Sequence, residues 1–230
     1  MVLFLTATIF LSNILANSIL IEFPQHSKTV LGVSVKSDDF DLMENFAREQ
    51  ASVLFTRLHS SQNYYEYLQI DEYNRKNTRN IVKSIDDLYY NFSKLNLVYT
   101  HSYGGYEIFF YDSDVTDVPF ITENIDSMIA KDTKVIIQSG SISTAATAEA
   151  IKLDEALEIA FDLALTEMSK TTEIVSVTRL ESNPFTTFRD ILLVSQNDLY
   201  DVRLNKVEMK LNNEKNYQTF TVRVVLIKDI

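Results

Sequence analysis

The chain predicts an α+β fold of two tandem related modules, each a helix packed on an antiparallel sheet that ends in a β-hairpin. Three observations predict it. The segment Asp198–Tyr200, followed by two runs of alternating apolar residues, occurs once before at Asp87–Tyr89, and Ser84, Leu88, Tyr89, Tyr106 and Phe109 match Ser195, Leu199, Tyr200, Tyr217 and Phe220, every pair 111 residues apart. A helical pattern precedes each copy, with Phe46, Ala47, Ala51 and Phe55 matching Ile159, Ala160, Ala164 and Met168 at a spacing of 113. Short apolar runs, Thr29–Val35 and Lys134–Gln138, precede the helices in turn. Self-similarity at one long period is the mark of a repeated structural unit.

Each element has a local reason. Met1–Ser18 opens with the apolar run Val2–Leu11 and turns small and polar through Ala16 and Ser18. Such a run is too short to span a bilayer, and it reads as a secretory leader cleaved after Ser18. The charged start of a leader is missing, so either the true start lies upstream or the segment is a buried strand. Ser37-Asp38-Asp39 can cap a helix whose inner face carries Leu42, Phe46, Ala47, Ala51, Leu54, Phe55 and Leu58, ending near His59–Ser61. Tyr64-Tyr65-Glu66-Tyr67 reads as aromatic packing at a helix start, with base or sugar stacking as the other use of such a cluster. Arg75, Lys76 and Arg79 form the one basic concentration and read as a solvated helix face.

Gly104-Gly105 supplies the positive backbone angles of a tight hairpin turn. The acidic stretch Asp112–Asp117 leads into Pro119, where charge, loss of alternation and proline coincide. The modules are accordingly placed at residues 19–118 and 119–230, after the leader at 1–18. Thr133–Ser143 reads as a strand, and the small-residue run Thr144–Ala150 as the start of a helix. Leu153, Leu157, Ala160, Ala164 and Met168 then give that helix an apolar face, with Asp154, Glu155, Glu158 and Asp162 mostly outward. Pro184 marks a loop before a helical or extended piece, Phe188–Val194. In the last hairpin Val207, Met209 and Leu211 face Phe220, Val222, Val224 and Leu226 across the polar turn Asn212–Asn216, while Thr219, Thr221 and Arg223 point outward.

The chemistry is defined by what is missing. The 230 residues are 46% hydrophobic and 23% charged, ordinary globular material. A formal charge of −11 argues against nucleic-acid and anionic-lipid surfaces, both of which need clustered Lys and Arg. With no cysteine there is no disulfide, thiolate metal site or lipidated thiol. His26, His59 and His101 stand apart and read as surface residues, Asp38-Asp39 and Asp86-Asp87 point apart as neighbours do, and Ser139-Gly140-Ser141 lacks the spacing of a nucleophile turn. Four glycines form no phosphate-cradling loop. The expectation is therefore no catalytic, cofactor-binding or metal-binding residue, and no enzyme.

Val135–Ile142 (within KVIIQSGSIS), the alanine-rich stretch Ala148–Met168 and the closing hairpin Val202–Ile227 together resemble the N-terminal module of flagellar assembly protein T and related small outer-membrane lipoproteins of flagellated bacteria. The resemblance covers residues 134–230 and, more faintly, the earlier copy. It departs from the lipoproteins in lacking their cysteine. It implies a non-enzymatic periplasmic or secreted structural or assembly factor of the cell envelope, associated with the flagellum and acting through protein–protein contacts. One such contact is homo-oligomerisation through the C-terminal strand, whose backbone groups can pair with another subunit if it lies at a sheet edge. The competing expectation is a periplasmic ligand-binding module using Tyr64–Tyr67 and Tyr89-Tyr90.

Overall fold

The computed structural model describes residues 17–58, 62–71, 76–84, 95–113, 118–125, 129, 133–138, 140–169, 174–183, 186–197, 202–213 and 217–229. Among the described residues the fold is α+β, with two helices and antiparallel sheets. In chain order the elements are β1 (Ser18–Glu22), β2 (Val30–Val35), α1 (Phe40–Leu58), β3 (Gln62–Asp71), β4 (Lys76–Ser84), β5 (Asn96–Tyr103), β6 (Tyr106–Asp112), β7 (Phe120–Glu123), β8 (Lys134–Gln138), β9 (Ser141–Ala150), α2 (Leu153–Ser169), β10 (Ile174–Asn183), β11 (Thr186–Asn197), β12 (Val202–Asn213) and β13 (Gln218–Asp229). A six-stranded sheet has the order β7-β1-β12-β13-β9-β8, a four-stranded sheet β10-β11-β3-β4, and a three-stranded sheet β2-β6-β5.

Helix α1 starts where Asp39 Oδ1 accepts the Leu42 N–H at 3.0 Å, so the expected cap is in place. It lies directly on β2, so close that a Cβ added to Gly32 would sit 1.8 Å from the Ala47 carbonyl oxygen. Ala47, Ala51, Leu54 and Leu58 are buried. Strand β6 is buried on both faces because it is sandwiched. The Tyr111 hydroxyl donates to the Glu44 carbonyl of α1 at 3.0 Å and Phe109 meets Phe40 with ring centroids 5.6 Å apart, whereas Phe110 meets Phe23, just past β1, at 6.4 Å. Helix α2 packs on β9 and β13 through Leu153, Ala156, Leu157, Ala160, Phe161, Ala164 and Met168, all buried. The β5–β6 turn has φ of 56° at Gly104 and 84° at Gly105 and abuts Phe220 of β13, so one core joins the six-stranded and three-stranded sheets.

Several expectations change. Thr144–Ala150 is strand β9, with Thr144, Ala146 and Ala148 paired to Leu226, Val224 and Val222. Its small side chains lie beneath α2, and small size alone does not separate strand from helix. The strand directly before α2 is thus β9 and not Lys134–Gln138. Leu42 and Phe46 do not belong to the inner face of α1; they are 50% and 59% exposed. Thr219 and Thr221 are buried rather than outward, satisfied by Asn212 Nδ2 at 3.3 and 2.7 Å and, for Thr219, by Glu149 at 2.7 Å. Tyr64–Tyr67 lies within strand β3, and Lys76 and Arg79 within strand β4, not on helices. Phe188–Val194 is extended, within β11.

The C-terminal strand is not an edge. β13 pairs with β12 along one side and β9 along the other, so its backbone groups are spent inside the sheet. Asn17 and Ser18 also belong to the fold: the Asn17 carbonyl accepts the Leu211 N–H at 2.8 Å and the Tyr103 hydroxyl at 3.1 Å, and Ser18 Oγ donates to the Ile125 carbonyl at 2.8 Å. A cut after Ser18 removes all three bonds, and one ahead of Asn17 keeps them.

Candidate protein-contact surfaces

Two surfaces leave apolar side chains in solvent. The first is a groove bounded by α1, the open edge of β2 and the start of α2. Its wider part, about 400 Å³, is lined by Val33, Ser34, Val35, Leu42, Phe46 and Asp154, with Ser37, Met43 and Gln50 completing the wall. A narrower part, about 270 Å³, continues along α1 past Phe46, Glu49, Val53 and Arg57 to Glu158 of α2. Gln50 Oε1 accepts the Val33 N–H at 2.8 Å, which satisfies one edge amide of β2 with a side chain. Arg57 is ion-paired with Asp162, tying the far end of α1 to α2. Asp154 Oδ1 is buried and has no hydrogen-bond partner among the described residues.

The second surface is β8. All five of its residues are exposed, including Val135 at 39%, Ile136 at 47% and Ile137 at 65%. One side of the strand pairs with β9, from Lys134 opposite Ala145 to Gln138 opposite Ser141. No described strand pairs with the other side. An apolar strand with a free backbone edge is a template for pairing with another chain unless charge, proline or a covering element guards it. Among the described residues of the strand, Lys134 is the one charge that guards it.

The residues weighed as chemistry are dispersed. His26 is exposed in a turn, and His59 and Asp86-Asp87 lie outside the described residues. His101 is half-buried rather than fully exposed, its side chain 14% exposed with Nε2 3.6 Å from Glu123 Oε1. Ser139 also lies outside the described residues, beside Gly140 with φ of 90° in the β8–β9 turn. Tyr89-Tyr90 lies outside them too, and Tyr64–Tyr67 runs within β3. Among the described residues no cluster of three or more His, Asp or Glu is placed to hold a metal ion.

Buried tyrosines hold the sheets. Burial raises Tyr103 far above the ordinary phenol range, against the lowering effect of a backbone hydrogen bond from Leu211. Burial likewise raises Tyr111, with the Glu44 carboxylate adding to the shift and the Arg48 guanidinium opposing it. Burial raises Tyr106 as well, opposed by a hydrogen bond at Leu153 and assisted by the Asp154 carboxylate.

No known protein family, curated protein or solved structure matches this chain.

Neither surface was anticipated from the sequence. A signal for the groove was present, since Phe40, Leu42, Met43, Phe46 and Ala47 spread apolar character around more of α1 than one sheet can cover. For β8 the run Val-Ile-Ile was visible, but nothing in it separates a central strand from an edge.

Proposed function

We propose that the protein is a non-enzymatic structural or assembly factor of the bacterial cell envelope, flagellum-associated and located in the periplasm or secreted, which works through protein–protein contacts. The observation that carries this is the apolar edge of β8, which no described strand pairs with. Its partner is a second copy of the chain. Antiparallel pairing of β8 with itself about Ile136 sets Lys134 opposite Gln138 and Val135 opposite Ile137, so no like charges meet although the protein carries −11 overall. This replaces the C-terminal strand as the self-association element and keeps the same physics.

The envelope assignment rests on the family resemblance and on the leader-like start, with the cut falling ahead of Asn17. The two-module reading is supported by element order: β2-α1-β3-β4-β5-β6 and β9-α2-β10-β11-β12-β13 follow one pattern, and β2-β6-β5 and β9-β13-β12 have one strand order. In this reading the halves are related copies that also share sheets, because β1 pairs with β12 and β3 with β11.

Sedimentation velocity over a concentration series tests the proposal. The wild type is expected to shift from monomer to dimer as concentration rises. Ile137→Lys, which places like charges along the edge without touching the core, is expected to stay monomeric with an unchanged circular dichroism spectrum. A wild type that remains monomeric at the highest concentration defeats the self-association reading, and a variant that dimerises as well as wild type moves the interface elsewhere.

A further inference from the structure

We propose that the groove between α1 and α2 is a docking site for a basic amphipathic segment of a partner protein, with an ammonium or guanidinium group meeting Asp154. Three observations converge on this occupant. The groove is long: from Leu42 to Arg57 it runs about 22 Å at the helical rise per residue, room for some four helical turns of a partner but far more than a compact small molecule needs. Its floor is apolar and exposed, with Leu42, Phe46 and Val35 all in contact with solvent although they sit among well-buried neighbours.

Its charge has one sign. Glu49, Asp154 and Glu158 line it, while the one lining cation, Arg57, is held by Asp162. Asp154 Oδ1 is the decisive atom. A buried carboxylate oxygen normally finds a donor, and this one has none among the described residues, although its side chain lines the groove wall. A partner's cation seated against the Asp154 carboxylate at the groove wall forms a charge-assisted bond, while leucine-like side chains beside it cover Phe46 and Leu42. Apolar anchors flanked by complementary charge are the pattern of helix-in-groove recognition. This site lies on the helices, away from β8, so it does not depend on the self-association reading.

The test is fluorescence anisotropy with a labelled, end-capped amphipathic leucine–lysine peptide and its leucine–glutamate counterpart. Wild type is expected to bind the lysine peptide saturably and not the glutamate peptide. Asp154→Asn is expected to weaken binding about tenfold or more, the loss of one charge-assisted hydrogen bond, and Phe46→Ala by about tenfold as an anchor is lost. Glu158→Gln serves as a second groove variant should Asp154→Asn disturb the start of α2. Glu208→Gln, which makes the same charge change on β12 away from the groove, is expected to leave affinity within about twofold. Absence of saturable binding to wild type overturns the proposal. So does an equal loss in Glu208→Gln and the groove variants, which would reduce the attraction to overall negative charge, or an unchanged affinity in Phe46→Ala. The Ile137→Lys protein is expected to bind the peptide like wild type, so failure of either proposal is read separately from the other.

Discussion

At the scale of single residues, the fold depends on groups placed where nothing else fits. Gly32 lets α1 lie on β2, and Tyr103 and Tyr111 close the spaces between layers with hydroxyls that donate to the Asn17 and Glu44 carbonyls. The tyrosines make a pH prediction. Their folded pKa values are raised above the ordinary 10.0, so above that pH the unfolded chain releases protons that the folded chain keeps, and stability falls as pH rises. Stability from these two groups is complete below pH 10 and is lost progressively above it. Melting temperature followed across that range should drop steeply in wild type and less steeply in Tyr103→Phe and Tyr111→Phe, even though each variant starts lower for want of a hydrogen bond. Identical alkaline slopes in all three proteins would show that other groups control the transition. None of this depth of burial could be read from the tyrosine positions alone, since a strand tyrosine faces core or solvent according to which layer covers it.

At the scale of elements, helix faces were legible in proportion to how completely they are buried. The α2 face Leu153, Leu157, Ala160, Ala164 and Met168 emerged intact because it is fully buried and the exposed Glu155 and Glu158 mark the other side, although Asp154 and Asp162 turn out to be partly covered. In α1 the same spacing enrolled Leu42 and Phe46, which border a groove: periodicity reports apolar character and not what lies opposite. Hairpin turns were legible where glycine demands them, as at Gly104-Gly105. Thr144–Ala150 was misread because its strand conformation is imposed by pairing with β13, far along the chain, from Ala150 opposite Phe220 to Thr144 opposite Leu226. The closeness of α2 to β9 and β13 makes its alanines sensitive to volume. Ala160→Leu should destabilise the protein by about 1–3 kcal/mol through overpacking, measured by urea denaturation. A change within error would mean that α2 does not pack as closely as its buried alanines indicate.

At the scale of the whole molecule, the sheets are stitched across the chain, and the end of the chain lies inside the largest of them. β13 runs between β12 and β9, so among the described strands the edges of the six-stranded sheet are β7 and β8, from the middle of the sequence. Sheet order depends on long-range pairing, so the sequence could not show that the last strand lies between two partners and offers no edge. β7 is the shorter edge, with Glu123 beside His101; β8 offers Val135, Ile136 and Ile137. The account therefore turns on whether the outer edge of β8 is where one copy meets another. Amide hydrogen exchange of residues 134–138, resolved residue by residue at low and high protein concentration, tests this most directly. In an edge strand alternate amides face the neighbouring strand and the rest face outward. The account predicts that the amides bonded to β9 are protected at every concentration, while the outward set gains protection as concentration rises. An outward set that exchanges at the unprotected rate at all concentrations, beside a β9-facing set that stays protected, would contradict it.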